Sequence, residues 1–472
     1  MRTLASWSIL LGLSLVGFAD ETKDPPAPGA AADAGAQAPS PEPPAFVMPD
    51  GERKKLEKLL ADCFDPGRAG KAEALDRLEK HVAKPVGGHS LLEDVATVVD
   101  VCNRLRVPNM KLLRFKGKIT PVDVKPNEHG FPGGIGTVKY HMYVPKNYDP
   151  ATTWAPLLLC LPDNRTWDNG AEYVKQMWLD RAESVANRYV IIVPEPQSKG
   201  EAWTTEKSMA RAMIAMRHAC GNFEPASKGT CAAVDLRRVY VDGAEAAALV
   251  AARFAELFRG AILHGASGRT ENGPDLARAG GLAGLPAYCV CDPKRTQHAA
   301  FGAKIQAANA ASAVESAADA DARLFGDAAR IGEWLDKLDK AEHADAPRSL
   351  DFVVHDGSFQ RFHWLNVLDF DPAAQPAAGI VAKSDRAANV VTLEPNGVDR
   401  FEVWLNDAIA DLNRDVTIVV RVGGKDHTFW KGIVDRKLAV MLVELEDSNH
   451  PWRAYTSRFV VDVSALQAKK EG

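Results

Sequence analysis

The residues that could do chemistry in this chain sit where apolar runs end. Gly243-Ala244-Glu245-Ala246-Ala247 sets a carboxylate between small residues, where a strand-like run (Arg238–Val241) gives way to a helical pattern (Ala244–Leu257). Two uses of Glu245 stay open. It is a first-turn acid favoured by the positive end of a helix, or a carboxylate nucleophile that needs a positioned base. Asp292-Pro293 closes the apolar run Ala287–Cys291 and is either a catalytic carboxylate or a turn starter. Candidate bases are His264, at the end of Gly260–Leu263, and His355 and His363 further on; each also reads as an ordinary surface or satisfied histidine. Ser267, in Gly265-Ala266-Ser267-Gly268, follows a different strand from Glu245 and is not grouped with it. No His, Cys and carboxylate cluster has zinc-ligand spacing. The glycine turn Phe131–Gly136 lacks the following helix of a dinucleotide fingerprint. No metal and no cofactor is expected.

The elements that must position these residues alternate. Thr137–Val144, Pro156–Leu161, Tyr189–Val193, Arg238–Val241, Gly260–Leu263 and Ala287–Cys291 read as strands, several of them continuous apolar runs of the kind buried on both faces. Tyr173–Asn187, Lys207–His218, Ala244–Leu257 and His298–Asn309 read as the helices between them. Alternation of this kind predicts an α/β fold, a mainly parallel sheet with helices on both faces. Residues 51–106 are helical by period, with Leu56, Leu59, Leu60 and Phe64, then Leu75, Leu78 and Val82, then a third helix over Leu91–Val101. This helical prelude is expected to pack on the domain after it. The α/β domain is placed at 112–372. After the small-residue stretch Ala373–Ala378, short strands and one helix (Leu438–Leu445) predict a β-rich C-terminal domain at 380–466.

The start of the chain sets an expected compartment. Residues 1–19 read as a secretory signal peptide: a basic start, an apolar run and Gly17-Phe18-Ala19 as the small-residue end. No cysteine follows it, so a secreted or periplasmic protein without a lipid anchor is expected. Residues 20–50 are rich in Pro and Ala and predict a disordered linker. Export permits disulfides among the seven cysteines, with Cys220–Cys231 and Cys63–Cys102 as the expected pairs. With 57 Lys+Arg against 62 Asp+Glu the formal charge is −5, which speaks against a nucleic-acid partner. No internal apolar run has the length of a membrane span.

Several segments together resemble the secreted esterase branch of the α/β-hydrolase fold, the polyhydroxybutyrate-depolymerase-like and prolyl-oligopeptidase-like proteins. They are Tyr140–Pro150 with Pro156-Leu157-Leu158, then Val190–Pro196 with Ala202-Trp203, then Val234–Gly243, then Arg253–Ile262. The likeness runs over roughly 137–340 and implies a Ser nucleophile at an elbow, an oxyanion loop and a triad Asp and His. The chain departs at three of those places. Glu245 stands at the nucleophile position of Gly-x-Ser-x-Gly. Pro162-Asp163 stands where the oxyanion loop carries His-Gly, and proline has no N–H to offer developing charge. Asp292 fits the acid position, but no histidine occurs between His298 and His343, before the closing helix Ala328–Leu338. The resemblance therefore implies a catalytically degenerate member, a non-catalytic binding or scaffold protein with a ligand or protein partner to be found. The alternative is an active hydrolase of ester or related acyl bonds that uses Glu245 with Asp292 and a recruited histidine.

Overall fold

The computed structural model describes residues 48–468, except 65–70, 85–91, 93–97, 99, 103–104, 107–108, 126–134, 152, 163–166, 168, 197–202, 204, 222–231, 269–281, 318–323, 342–346, 355–360, 372–377 and 449–453. The expected signal peptide, most of the linker and the third helix, Asp163, Cys231 and His355 lie outside the described residues.

Helices α1 (Asp50–Phe64) and α2 (Lys71–Val82) precede an eight-stranded sheet. Its strands are β1 (Ile119–Val124), β2 (Val138–Tyr143), β3 (Ala155–Leu161), β4 (Val190–Pro194), β5 (Val234–Gly243), β6 (Gly260–His264), β7 (Ala287–Cys291) and β8 (Ala313–Ser316). The spatial order is β1-β2-β4-β3-β5-β6-β7-β8. β1, β2 and β4 pair antiparallel; from β4 through β3 to β8 every pairing is parallel. This is the mainly parallel sheet of the expected fold class.

Side chains alternate between two cores, as the two-residue period of a strand requires. Leu157, Leu159, Leu161, Val239, Val241, Ala261 and Leu263 face one side. There they meet α3 (Glu206–Cys220) and α4 (Glu245–Arg253). Leu158, Cys160, Tyr240 and Ile262 face the other. That side is covered by the helical run through Gly170–Tyr173, Val174–Leu179 and Asp180–Ala186, and by α6 (Ala328–Lys340), which follows α5 (Thr296–Ala308). Two helix starts carry side-chain caps: Thr205 accepts from Ser208 N at α3, and Asp327 from Ala329 N and Arg330 N at α6. α4 has none, so what fixes its start is the strand-to-helix turn itself.

The C-terminal β region begins earlier than 380. β9 (Ser349–Val354) pairs with β12 (Ala378–Asp385). β10 (Arg361–Phe362) and β11 (Leu365–Phe370) join β14 (Val398–Leu405) and β17 (Ser457–Asp462) in a four-stranded sheet. The other sheet orders β16 (Lys425–Gly432), β15 (Val416–Val422), β13 (Val390–Asn396), β12, β9. Strands at 349–370, expected with the α/β domain, are paired into these two sheets instead.

The helical prelude meets the α/β region through its last residue, Arg106, which donates to the Cys220 and Val234 carbonyls, but it buries its apolar face far along the chain. Leu56, Leu60, Leu78, Val101 and Leu105 share one buried cluster with Leu438, Met441, Leu442 and Leu445 of α7 (Leu438–Ser448). Cys63 and Cys102 are buried in that cluster, and no disulfide joins them. Burial pushes the Cys102 thiol up to about 12, so it behaves as a small apolar filler. Against the other side of α7, the wholly buried Glu444 is ion-paired to Arg361 of β10. Arg361→Met removes the guanidinium from that buried carboxylate, and a broken buried pair costs about 3–5 kcal/mol. Urea unfolding should show the midpoint fall accordingly, with a smaller loss in the double variant Arg361→Met/Glu444→Leu.

Candidate functional site

The C-terminal ends of the parallel strands are where such a sheet presents its loops and helix starts. At the end of β5 the chain turns through Gly243, at φ +146°, and Ala244, at φ −102° and ψ −127°, into α4 with Glu245 as its first residue. The turn presses Gly243 onto β3: a Cβ there would lie on the Leu161 carbonyl oxygen and 3.2 Å from the Ala247 Cβ. The small residues at 243 and 247 thus do what an elbow needs, and the residue it displays is a carboxylate.

Glu245 is engaged by the loop after β6. Its Oε1 accepts from both the backbone N–H and the hydroxyl of Ser267. Its Oε2 is buried without a hydrogen-bond partner. Burial pushes the Glu245 carboxyl above the ordinary carboxylate range, against the pull of the Ser267 hydroxyl and the backbone N–H groups of Ser267 and Gly268. In the sequence Ser267 stands apart because it follows a different strand. Parallel pairing of β5 and β6, with Gly243 opposite Leu263, brings the two strand ends side by side. The glycines at 265 and 268, both at positive φ, mark the tight loop that carries it.

The raised carboxyl has a consequence for stability. The folded chain holds that proton more tightly than the unfolded chain. Stability from this group is therefore present at low pH and is lost as pH rises from the ordinary carboxylate range through the raised value. Glu245→Gln should remove that slope, so the thermal midpoint of the variant should gain on the parent as pH rises from acid to neutral. Parallel curves would contradict the direction given for Glu245.

The candidate bases are elsewhere. His264 ends β6, 8% exposed, on the sheet face opposite α4. Its Nε2 lies 2.7 Å from Asp242 Oδ1, its ring stacks on Phe325 at 5.0 Å, and its Nδ1 is buried without a partner. Asp242 is wholly buried; its Oδ2 accepts from Tyr173 Oη (2.6 Å) and Trp178 Nε1 (3.2 Å). Burial and the Asp242 charge together push the neighbouring Cys160 thiol and the Tyr173 phenol well above their ordinary ranges. His363 sits between β10 and β11 against Phe362, in the C-terminal sheets.

Asp292 follows β7 and is 6% exposed. Its Oδ1 accepts from Lys294 N (2.9 Å), the geometry of a turn starter, and Arg295 Nε lies 3.6 Å from its Oδ2. A histidine not among the sequence candidates stands nearby: His298, in the first turn of α5. Burial lowers its pKa, Arg295 adds to this, and Asp292 opposes it. Its Nδ1 is buried without a partner, and its ring lies against Gly265. Only its place six residues after Asp292 could have marked it. Pro162, at the oxyanion position after β3, is buried, and its carbonyl accepts from Trp203 Nε1 at 3.0 Å. Its partner in that reading, Asp163, lies outside the described residues. The structure thus joins Glu245 to Ser267 and sets His298 beside Asp292, while His264 belongs to Asp242.

Among the described residues no group of His, Cys, Asp and Glu is placed to hold a metal ion, and no helix is long and apolar enough to cross a membrane. No protein-family model and no curated protein matches the chain. Among solved structures, a thermostable esterase is similar at 15% identity and TM-score 0.32, over 47% of this chain and 62% of that one. A fluorophosphonate-binding serine hydrolase of Staphylococcus aureus is similar at 13% identity and TM-score 0.33, over 48% of this chain and all (100%) of that one. A putative dipeptidyl aminopeptidase IV of Bacteroides ovatus is similar at 14% and 0.30, over 47% of this chain and 36% of that one. The chain therefore spans less than two thirds of the esterase and about a third of the peptidase.

Proposed function

We propose that the protein is a secreted, non-catalytic binding or scaffold protein on an α/β-hydrolase frame. The observation that carries this reading is the state of Glu245. The residue displayed by the elbow spends one oxygen on Ser267, and among the described residues no histidine is hydrogen-bonded or ion-paired to it. A nucleophile or base in acyl transfer needs a proton-transfer partner within hydrogen-bond reach. The turn-forming role of Asp292 and the proline at position 162 support the same conclusion. The test is hydrolysis of p-nitrophenyl acetate and butyrate by the purified mature chain. No turnover above buffer is expected; turnover abolished by Glu245→Gln would overturn the reading.

One observation favours a second reading, an active hydrolase of ester or related acyl bonds. Glu245 Oε2 and His298 Nδ1 are both buried and unpartnered on either flank of the 265–268 loop. There Glu245, Asp292 and His298 would act together, and turnover would vanish in His298→Asn as well as in Glu245→Gln.

A further inference from the structure

We propose that a groove at the edge of the sheet remote from Glu245 is a binding site for a neutral saccharide; this rests on the binding-protein reading above and gives it a ligand class. The groove lies where the parallel strands begin. Asn147 follows β2, Trp154 precedes β3, Arg188 and Tyr189 precede β4, and Arg238 and Asp339 come from β5 and the end of α6. Its volume is about 380 Å³, within the range of small-ligand clefts and roomy enough for a sugar ring.

The groove offers an aromatic surface held in advance. The Arg106 guanidinium stacks over the Trp154 ring, 4.7 Å from its centroid. Arg238 Nη2 donates to the Trp154 carbonyl at 2.8 Å. The indole is thus fixed from one face and through its backbone, so little ordering is left for a ligand to impose. Unused polar groups surround it. Among the described residues neither the Trp154 indole N–H nor the Asn147 side-chain amide has a partner. The Tyr189 hydroxyl, buried in the wall, has none either.

The charges, by contrast, are already committed. Arg188 is paired with Asp336. Arg238 is paired with Asp235 at 2.7 Å, with Asp339 at 3.9 Å beyond. Asp339 in turn accepts from Tyr240 Oη at 2.6 Å. An anionic ligand is held by guanidinium groups free to give it forked hydrogen bonds, and both guanidiniums of this groove already carry a carboxylate partner. The lining carboxylates already accept hydrogen bonds, Asp339 from Tyr240 Oη and Asp149 from Ala151 N. A lipid chain needs a mainly apolar wall, and here amide, guanidinium, carboxylate and phenol groups interrupt the apolar surface of Pro145, Ala155 and Pro156. A neutral ring of hydroxyls with apolar C–H faces fits both halves of the site: the faces lie on the indole, and the hydroxyls meet the unused donors and acceptors.

The test is isothermal titration of the full mature chain with maltohexaose, cellohexaose, xylohexaose and, as the charged comparison, hexagalacturonate. At least one of the neutral oligosaccharides should bind. Trp154→Ala should weaken that binding about tenfold or more. Asn147→Ala, an exposed change, should weaken it several-fold with the unfolding midpoint unmoved. Absence of binding by all three neutral probes, binding untouched by both variants, or tighter binding of hexagalacturonate overturns the proposal. Ester turnover is read separately, so a catalytic result and a failed saccharide site are distinguishable.

Discussion

Gly243→Ala is expected to abolish soluble expression or to cost at least about 3 kcal/mol of stability. The backbone at 243 has φ +146°, a region that only glycine occupies without strain. Strain alone would be survivable. The decisive term is the neighbour: an added Cβ would overlap the Leu161 carbonyl oxygen and lie 3.0 Å from the Leu161 carbonyl carbon. Those atoms are backbone of β3, in register with Gly243 in the middle of the parallel sheet. They cannot swing aside as a side-chain tip would, so relief requires parting β3 from β5. Gly423→Ala is the matched control. Gly423 also has positive φ, +57°, but nothing lies within 4 Å of its added Cβ. It should cost only the left-handed penalty, about 1–2 kcal/mol. Urea unfolding of the two variants separates overlap from strain; equal losses would show that the elbow is held by conformation alone.

The elbow glycine illustrates which features of this chain are legible in its residues. Strands buried on both faces announce themselves as unbroken apolar runs, so β3, β4, β6 and β7 stand within a residue or two of where pattern places them. The Gly-Ala-Glu-Ala-Ala turn is legible too, because the close approach to Leu161 tolerates only small residues at its flanks. What pattern does not carry is partnership across the sheet. Ser267 meets Glu245 because β5 and β6 lie side by side, a relation fixed by strand order and not by sequence distance. The prelude helices pack on α7, more than three hundred residues later, since an amphipathic helix records that it has an apolar face and not whose face it meets. The strands at 349–370 alternate as any edge strand would, so nothing local distinguishes the last strands of one sheet from the first of the next. His298 and Asp242 are equally silent. A histidine in a helix start and an acid before a glycine are ordinary residues until burial is known.

Burial is what makes Asp242 the second large expectation: Asp242→Ala should destabilise the chain by about 3–5 kcal/mol. The carboxylate is wholly inside, and its two oxygens accept from Tyr173, Trp178 and His264, three groups from two different elements. Removing it leaves three donors without an acceptor, and each unsatisfied buried group costs about 1–3 kcal/mol. Partial collapse of Phe325 and Trp178, whose rings meet at 5.4 Å, keeps the total below the sum. Asp242→Asn should fall between, because an amide oxygen still accepts while its NH₂ faces donors. The same residue separates the two roles open to this end of the sheet. Asp242 sits on the face opposite α4, so its loss should lower the unfolding midpoint and leave saccharide binding at the far edge unchanged at temperatures where the variant is folded. If instead Asp242→Asn were fully stable and gained or lost an activity toward acyl esters, the Asp242–His264 pair would be working as chemistry, and the reading of this end as structural would fall with it.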